Sequence, residues 1–219
     1  MRLRLAFELA RWTLRRRPGP LSAHWGFDRG TPIDRWYIDR FLESHAADIR
    51  GDVLEIGDTR YTDRWGSGVR SSDVLDATAQ NPETVVANLE QPSTVPEERY
   101  DCLIVTQVLQ YIFDLDAAVE SLHRALRPGG VCLVTVPVIS RLDISAPYKE
   151  YWRLTDESAR RLFERRFTPG TLDVAMRGNL RAALLFLLGV ASDEVSPVQL
   201  RGDLPAFPLI LTVRAVKHA

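Results

Sequence analysis

The sequence predicts an α/β protein built on a doubly wound, Rossmann-like, mostly parallel seven-stranded sheet with helices on both faces. Three observations predict it. From residue 52 onward, short apolar runs alternate with stretches of helical period. Glycine and proline punctuate the joins at short intervals. Two of the runs, 101–105 and 131–136, are almost continuously apolar, as expected for parallel strands covered on both faces.

Taken in order, residues 1–20 form a basic arm. The whole chain of 219 residues has a net charge of -1, but this arm holds six arginines (Arg2, Arg4, Arg11, Arg15, Arg16, Arg17) against one acid, Glu8. A body of net negative charge argues against a nucleic-acid groove, which requires clustered basic side chains. At helical spacing the arm places Leu3, Phe7, Ala10 and Leu14 on one stripe, with Leu5, Leu9 and Trp12 beside it. That composition suits packing on the body, an organellar presequence, or peripheral contact with a membrane or protein through residues 1–17. Arg15–Arg17 is followed by Pro18-Gly19-Pro20 rather than an apolar core, which argues against a secretory or twin-arginine signal. No apolar run reaches the roughly 20 residues of a spanning helix, and the expected location is cytoplasmic.

Residues 21–219 read as a single domain opened by a helical cap. Within 32–47, Ile33, Trp36, Tyr37, Phe41 and Leu42 recur at helical spacing, with Thr31 or Asp34 as cap and Pro32 suited to the first turn. Strand-like runs follow at 53–57, 68–75, 84–87 and 101–105. A helix over 115–127 turns Ala118, Val119, Leu122, Ala125 and Leu126 inward, and Pro128-Gly129-Gly130 leads to a strand over 131–136. The last third holds a polar stretch (140–153), a helix (156–164), a strand (172–176), an apolar helix capped by Asn179 and closed by Gly189, and a final strand over 209–216. Cys102 and Cys132 fall in core strands, without a C-x-x-C or a nearby histidine pair, and read as buried reduced thiols rather than as a disulfide or metal site.

In open α/β sheets ligands bind beyond the carboxyl ends of the strands, where strand order reverses. Attention therefore falls on residues 55–62, Glu-Ile-Gly-Asp-Thr-Arg-Tyr-Thr. This is neither a P-loop nor a G-x-G-x-x-G dinucleotide turn, so the close backbone approach that a pyrophosphate needs is missing. An adenosyl cofactor without phosphates asks less: one glycine for the approach, Gly57, and an acid some 20 residues on for the ribose, Asp73 or Asp76.

Three segments in order, Val53-Leu54-Glu55-Ile56-Gly57, residues 100–112 and Leu126-Arg127-Pro128-Gly129-Gly130-Val131, resemble class I S-adenosylmethionine-dependent methyltransferases, and most closely the small type 11 methyltransferase domains. The likeness covers residues 49–137 and extends loosely over residues 151–155. It implies S-adenosyl-L-methionine as cofactor. Glu55, Gly57 and Asp58 would lie by the methionine part, Asp73 (in second place Asp76) on the ribose, Asn88 and Leu89 beside the adenine, and Gln107 near the sulfonium. The family's G-x-G-x-G loop is here Gly57, Thr59 and Tyr61.

Methyl transfer is an in-line displacement governed by alignment, with a base needed for an oxygen nucleophile. His24, Asp143, Glu150 and Tyr151 are the candidates near the mouth, while His45 and His123 fall on helices away from the strand ends. Tyr151-Trp152-Arg153 reads equally as a latch that ties down a loop. The function implied is methyl transfer to a small-molecule acceptor, polar or carbohydrate-like. The other reading is a non-catalytic binding module of the same fold that has lost its cofactor.

Overall fold

The computed structural model describes residues 19–82, 84–144 and 149–218. Two compact units interleave along the chain. The first comprises the described residues up to Arg40, Pro137–Asp143 and Met176–Ile210; the second comprises the rest. The arm at residues 1–17 lies outside the described residues.

The second unit carries the sheet apart from a terminal residue or two of the last three strands in chain order. Its strands are β1 (Gly51–Ile56), β2 (Val69–Asp76), β3 (Thr84–Val86), β4 (Tyr100–Thr106), β5 (Leu126–Pro137), β6 (Leu172–Arg177) and β7 (Ile210–Val216), in the order β3-β2-β1-β4-β5-β7-β6. The β1–β2, β1–β4, β2–β3 and β4–β5 pairs are parallel, so strand order reverses between β1 and β4. β7 runs against β5: Gly129 and Gly130 exchange backbone bonds with Lys217. Cys102, Leu103, Ile104, Cys132, Leu133 and Val134 are fully buried, matching the two apolar runs. Both cysteines are free thiols.

Helices α1 (Ile33–Ser44), α2 (Arg60–Trp65), α3 (Leu115–Ala125) and α4 (Asp156–Phe163) connect the strands or precede them. Asp114 caps α3 by accepting from Ala117 N–H, and Thr155 caps α4 by accepting from Ser158 N–H. One boundary differs from expectation. The helix predicted over 115–127 stops at Ala125, and β5 begins at Leu126. Arg127 precedes a proline, which disfavours helical backbone there. Pro128-Gly129-Gly130 is therefore a bulge inside the strand: Tyr100 pairs with Leu126, and Cys102 already pairs with Val131.

The first unit holds α5 (Leu180–Leu187) and α6 (Pro197–Leu200) beside the entering chain. Asn179 Oδ1 accepts from Ala182 N–H at 3.0 Å and Gly189 closes α5 at φ +72°, both as expected. An isolated antiparallel bridge joins Pro32 to Ala191, and the Arg141 guanidinium lies 3.9 Å above the Trp25 ring. Among the described residues no helix is long and apolar enough to cross a membrane.

Candidate functional site

The parallel run of β1 to β4 brings the loops that follow them to one end of the sheet in the second unit, with strand order reversing between β1 and β4. Near the end of β1, Glu55, only 2% exposed, aims its carboxylate at the start of α2. It accepts from Tyr61 N–H at 3.2 Å, and from Thr62 N–H and Thr62 Oγ1 at 2.8 Å each. Those amides belong to a first helical turn, which has no internal acceptors for them. Burial raises the Glu55 pKa, and the bonds from Thr62 and Tyr61 work against that rise.

The turn that Glu55 secures contains Gly57 at φ +94°, a backbone state suited to glycine. A Cβ built there meets nothing within 4 Å, so the turn borders open space. Asp58 leans away onto Arg60, whose Nε it accepts at 2.8 and 3.0 Å. Thr59 bonds Asp63, and Tyr61 is 6% exposed within α2.

Asp73 lies three residues before the carboxyl end of β2, and its carboxylate is held by Arg99 at 2.6 Å and by the Tyr100 hydroxyl at 3.0 Å. Asp76 is the acid at the strand end, where its Oδ1 accepts from Thr78 N–H at 2.9 Å.

After β3, Asn88 is exposed and accepts from Glu90 N–H at 2.9 Å, while Leu89 is buried with its carbonyl bonded by Ser121. Glu90, which sequence reasoning missed, accepts from the N–H groups of Phe113 and Asp114 at 2.9 and 3.0 Å. It thereby joins the loop after β3 to the loop after β4. Only a long-range partner identifies it; no local spacing does.

Gln107 follows β4 with φ +57°, a left-handed state uncommon for a side-chain-bearing residue. Its N–H donates to the Thr135 carbonyl at 2.8 Å, and its own carbonyl accepts from the Gln110 amide at 2.8 Å. Gln110 in turn accepts, through its backbone carbonyl, from Tyr151 N–H at 2.8 Å. The Trp152 indole donates to the carbonyls of Ile112 and Phe113 at 3.0 and 3.2 Å, and Arg153 binds Glu150 at 2.8 Å. Residues 150–153 thus take the form of a latch on the β4 loop, with Glu150 ion-paired. Tyr151, 47% exposed, meets Phe113 edge-on at 5.2 Å.

Of the predicted site residues, the second unit brings Glu55, Gly57, Asp58, Asn88, Leu89, Gln107, Glu150 and Tyr151 to strand ends or to the loops fastened there. His24 and Asp143 belong to the first unit. His24 is exposed, with its backbone N–H bonded to Ser22 Oγ at 3.0 Å, and Asp143 lies 4.0 Å from Arg141. His123 is packed edge-on against Phe167 at 5.0 Å, a structural role. A cavity of about 470 Å³ opens between Phe113, Trp152, Asp116, Arg161 and Arg165. A larger one, about 580 Å³, lies at the amino ends of the strands, by Gly51, Gly68 and Gly129, and not by the loops after β1 to β4.

This fold is that of the S-adenosylmethionine-dependent methyltransferases. Such an enzyme from Archaeoglobus fulgidus superposes with a TM-score of 0.53 at 12% identity, covering 84% of this chain and 94% of that one. The N-methyltransferase NodS of Bradyrhizobium japonicum, solved with S-adenosyl-L-homocysteine, gives 0.53 at 14% identity over 86% and 89% of the two chains. Residues 39–134 match the family model of a methyltransferase domain, in agreement with the resemblance carried by the three sequence segments. The ubiquinone/menaquinone biosynthesis C-methyltransferase UbiE of Shewanella oneidensis is 33% identical over 107 residues, 49% of this chain and 35% of that protein. Its counterpart from Francisella tularensis (strain FSC 198) is 32% identical over 108 residues, 48% and 37% of the two. The chain thus spans little more than a third of the length of these curated relatives.

Proposed function

We propose that the second unit binds S-adenosyl-L-methionine across the carboxyl ends of β1–β4 and that the protein transfers its methyl group to a small-molecule acceptor. The observation that carries this reading is the Gly57 turn: left-handed, open to space, and held by Glu55 at the reversal of strand order. The residues present fit the cofactor. Gly57 would allow close backbone approach for the aminoacyl end, Asp76 would present a carboxylate to the ribose hydroxyls, Asn88 and Leu89 would flank the adenine, and Gln107 would border the sulfonium. When bound, the cofactor supplies an electrophilic methyl on a cationic sulfur.

The chain's own contribution is alignment and exclusion of water. Holding the acceptor in line converts a bimolecular displacement into an effectively unimolecular one. Glu90 and the residue 150–153 latch fix the β4 loop that would carry the acceptor, and the Phe113–Tyr151 pair offers it an aromatic edge. The acceptor is read as small and polar or carbohydrate-like. Among the similar proteins, the quinone-pathway relatives are C-methyltransferases and NodS is an N-methyltransferase, so carbon and nitrogen are both acceptor atoms within this fold. The family match over residues 39–134 favours the enzyme over a module that has lost its cofactor.

Calorimetric titration of the purified chain with S-adenosylmethionine and S-adenosylhomocysteine tests the reading. Saturable heat with both, and a raised melting temperature, are expected. Absence of heat and of any thermal shift at millimolar ligand would refute it.

A further inference from the structure

The cavity of about 580 Å³ at the amino ends of the strands is walled by backbone and charge. Of its lining residues only Pro128 and Val131 are apolar, and none is aromatic. A Cβ built at Gly68 or Gly129 meets nothing within 4 Å, so both border open space. Two backbone bonds zip the segments on either side of Arg50 to residues 67–68. Ser67 N–H donates to the Ile49 carbonyl at 3.0 Å, and Gly51 N–H donates to the Gly68 carbonyl at 3.1 Å. Arg50, Ser67 and Gly68 therefore stand side by side at the cavity wall.

The acids that line the cavity are already matched. Asp48 holds the Arg214 guanidinium with both oxygens, at 2.8 and 3.0 Å. Asp101 Oδ2 accepts from Arg70 at 2.6 Å, from Arg127 at 3.1 Å and from Asp52 N–H at 2.8 Å. Of the two lining cations, Arg70 thus has its acid, and Arg50 has none among the described residues. The Ser67 hydroxyl and the Gly68 N–H also lack a partner among them, and all three residues are exposed. A surplus guanidinium, a hydroxyl and a backbone amide, with no unmatched acid lining the same wall, form a donor set for the separate oxygens of a phosphate. We propose that this cavity binds a phosphate group through Arg50, Ser67 and Gly68, as the free ion or as the monoester of a small polar metabolite. The volume leaves room for the body of an ester, and the absence of an aromatic wall gives a nucleobase nothing to stack on. The site stands at the opposite end of β1 from Gly57 and is separate from the proposed cofactor site.

The test is independent of the methyl-transfer reading, which cofactor titration decides. The full chain, in phosphate-free buffer, is titrated by calorimetry with inorganic phosphate, with glycerol 3-phosphate and with glucose 6-phosphate. Saturable heat is expected, and Arg50→Ala should weaken binding about tenfold, the scale of one charge-assisted hydrogen bond. The variant should melt at the wild-type temperature, since Arg50 is exposed and has no acid to lose. Tighter binding of either ester than of inorganic phosphate supports the site with an ester as its ligand; the reverse order supports it with the free ion. The proposal is overturned if none of the three gives saturable heat, or if Arg50→Ala binds them as the wild type does. It is also overturned if saturating S-adenosylhomocysteine abolishes the phosphate heat, which would put the anion in the cofactor's place.

Discussion

Glu55 and Thr62 are locked together: one carboxylate oxygen receives both the backbone N–H and the hydroxyl of Thr62 at 2.8 Å. Strand end and helix start are thereby fastened across the turn that holds Gly57. Glu55→Ala leaves two amides and a hydroxyl in a buried place without an acceptor. The expected loss is about 1–3 kcal/mol in chemical denaturation, together with weaker binding of S-adenosylhomocysteine.

The same pair sets a pH dependence. Burial raises the Glu55 pKa above its ordinary 4.5, so the folded state holds this proton more tightly than the unfolded one. Its contribution is therefore fully present below the ordinary value and declines as pH rises through the folded value. Melting of wild type and Glu55→Gln across that window should show their difference narrowing as pH rises. A difference that widens would contradict the sign.

Asp76 and Asp73 should separate cleanly. Asp76→Ala is expected to weaken cofactor binding about tenfold or more, the scale of one lost charge-assisted hydrogen bond, with little change in melting. Asp73→Ala deprives the buried Tyr100 hydroxyl of its acceptor and Arg99 of its partner. It should lower stability by about 1–3 kcal/mol and leave affinity unchanged. Calorimetry beside thermal unfolding reads both effects.

Gln107 is the site for a backbone test. Its φ of +57° is tolerated by asparagine and opposed by β-branched side chains. Gln107→Asn should fold with nearly wild-type stability, whereas Gln107→Val should lose about 1–3 kcal/mol in urea unfolding.

Trp152→Phe removes the donor to the Ile112 and Phe113 carbonyls while keeping an aromatic ring. Hydrogen exchange should accelerate over residues 108–113, with the β1 and β4 amides unaffected. Equal protection in both proteins would show that the latch does not order the loop.

The strands were legible where burial on both faces leaves no alternation to misread, as in residues 101–105 and 131–136, and the α5 ends where Asn179 and Gly189 mark them. The choice between ribose acids was not. Asp73 and Asp76 stand in one strand with nothing local to rank them, and the preference for Asp76 in the proposed site comes from Tyr100 of β4 and Arg99 just before it, which hold Asp73. Glu90 escaped for a related reason: its partner Phe113 lies 23 residues away, beyond any spacing rule. The latch at Trp152 was legible, but not its partner Ile112, 40 residues away. The Pro-Gly-Gly motif was visible, but its place inside β5 depends on pairing with Tyr100 and Cys102.

Cys102 and Cys132, one register step apart on β4 and β5, have no exposed surface, and burial pushes both thiols up. A thiol reagent can reach them only after the middle of the sheet has parted. The chain therefore carries a native timer for its own opening: the rate of label uptake counts the excursions of the central strands, and a bound cofactor that holds β1 and β4 together should slow it.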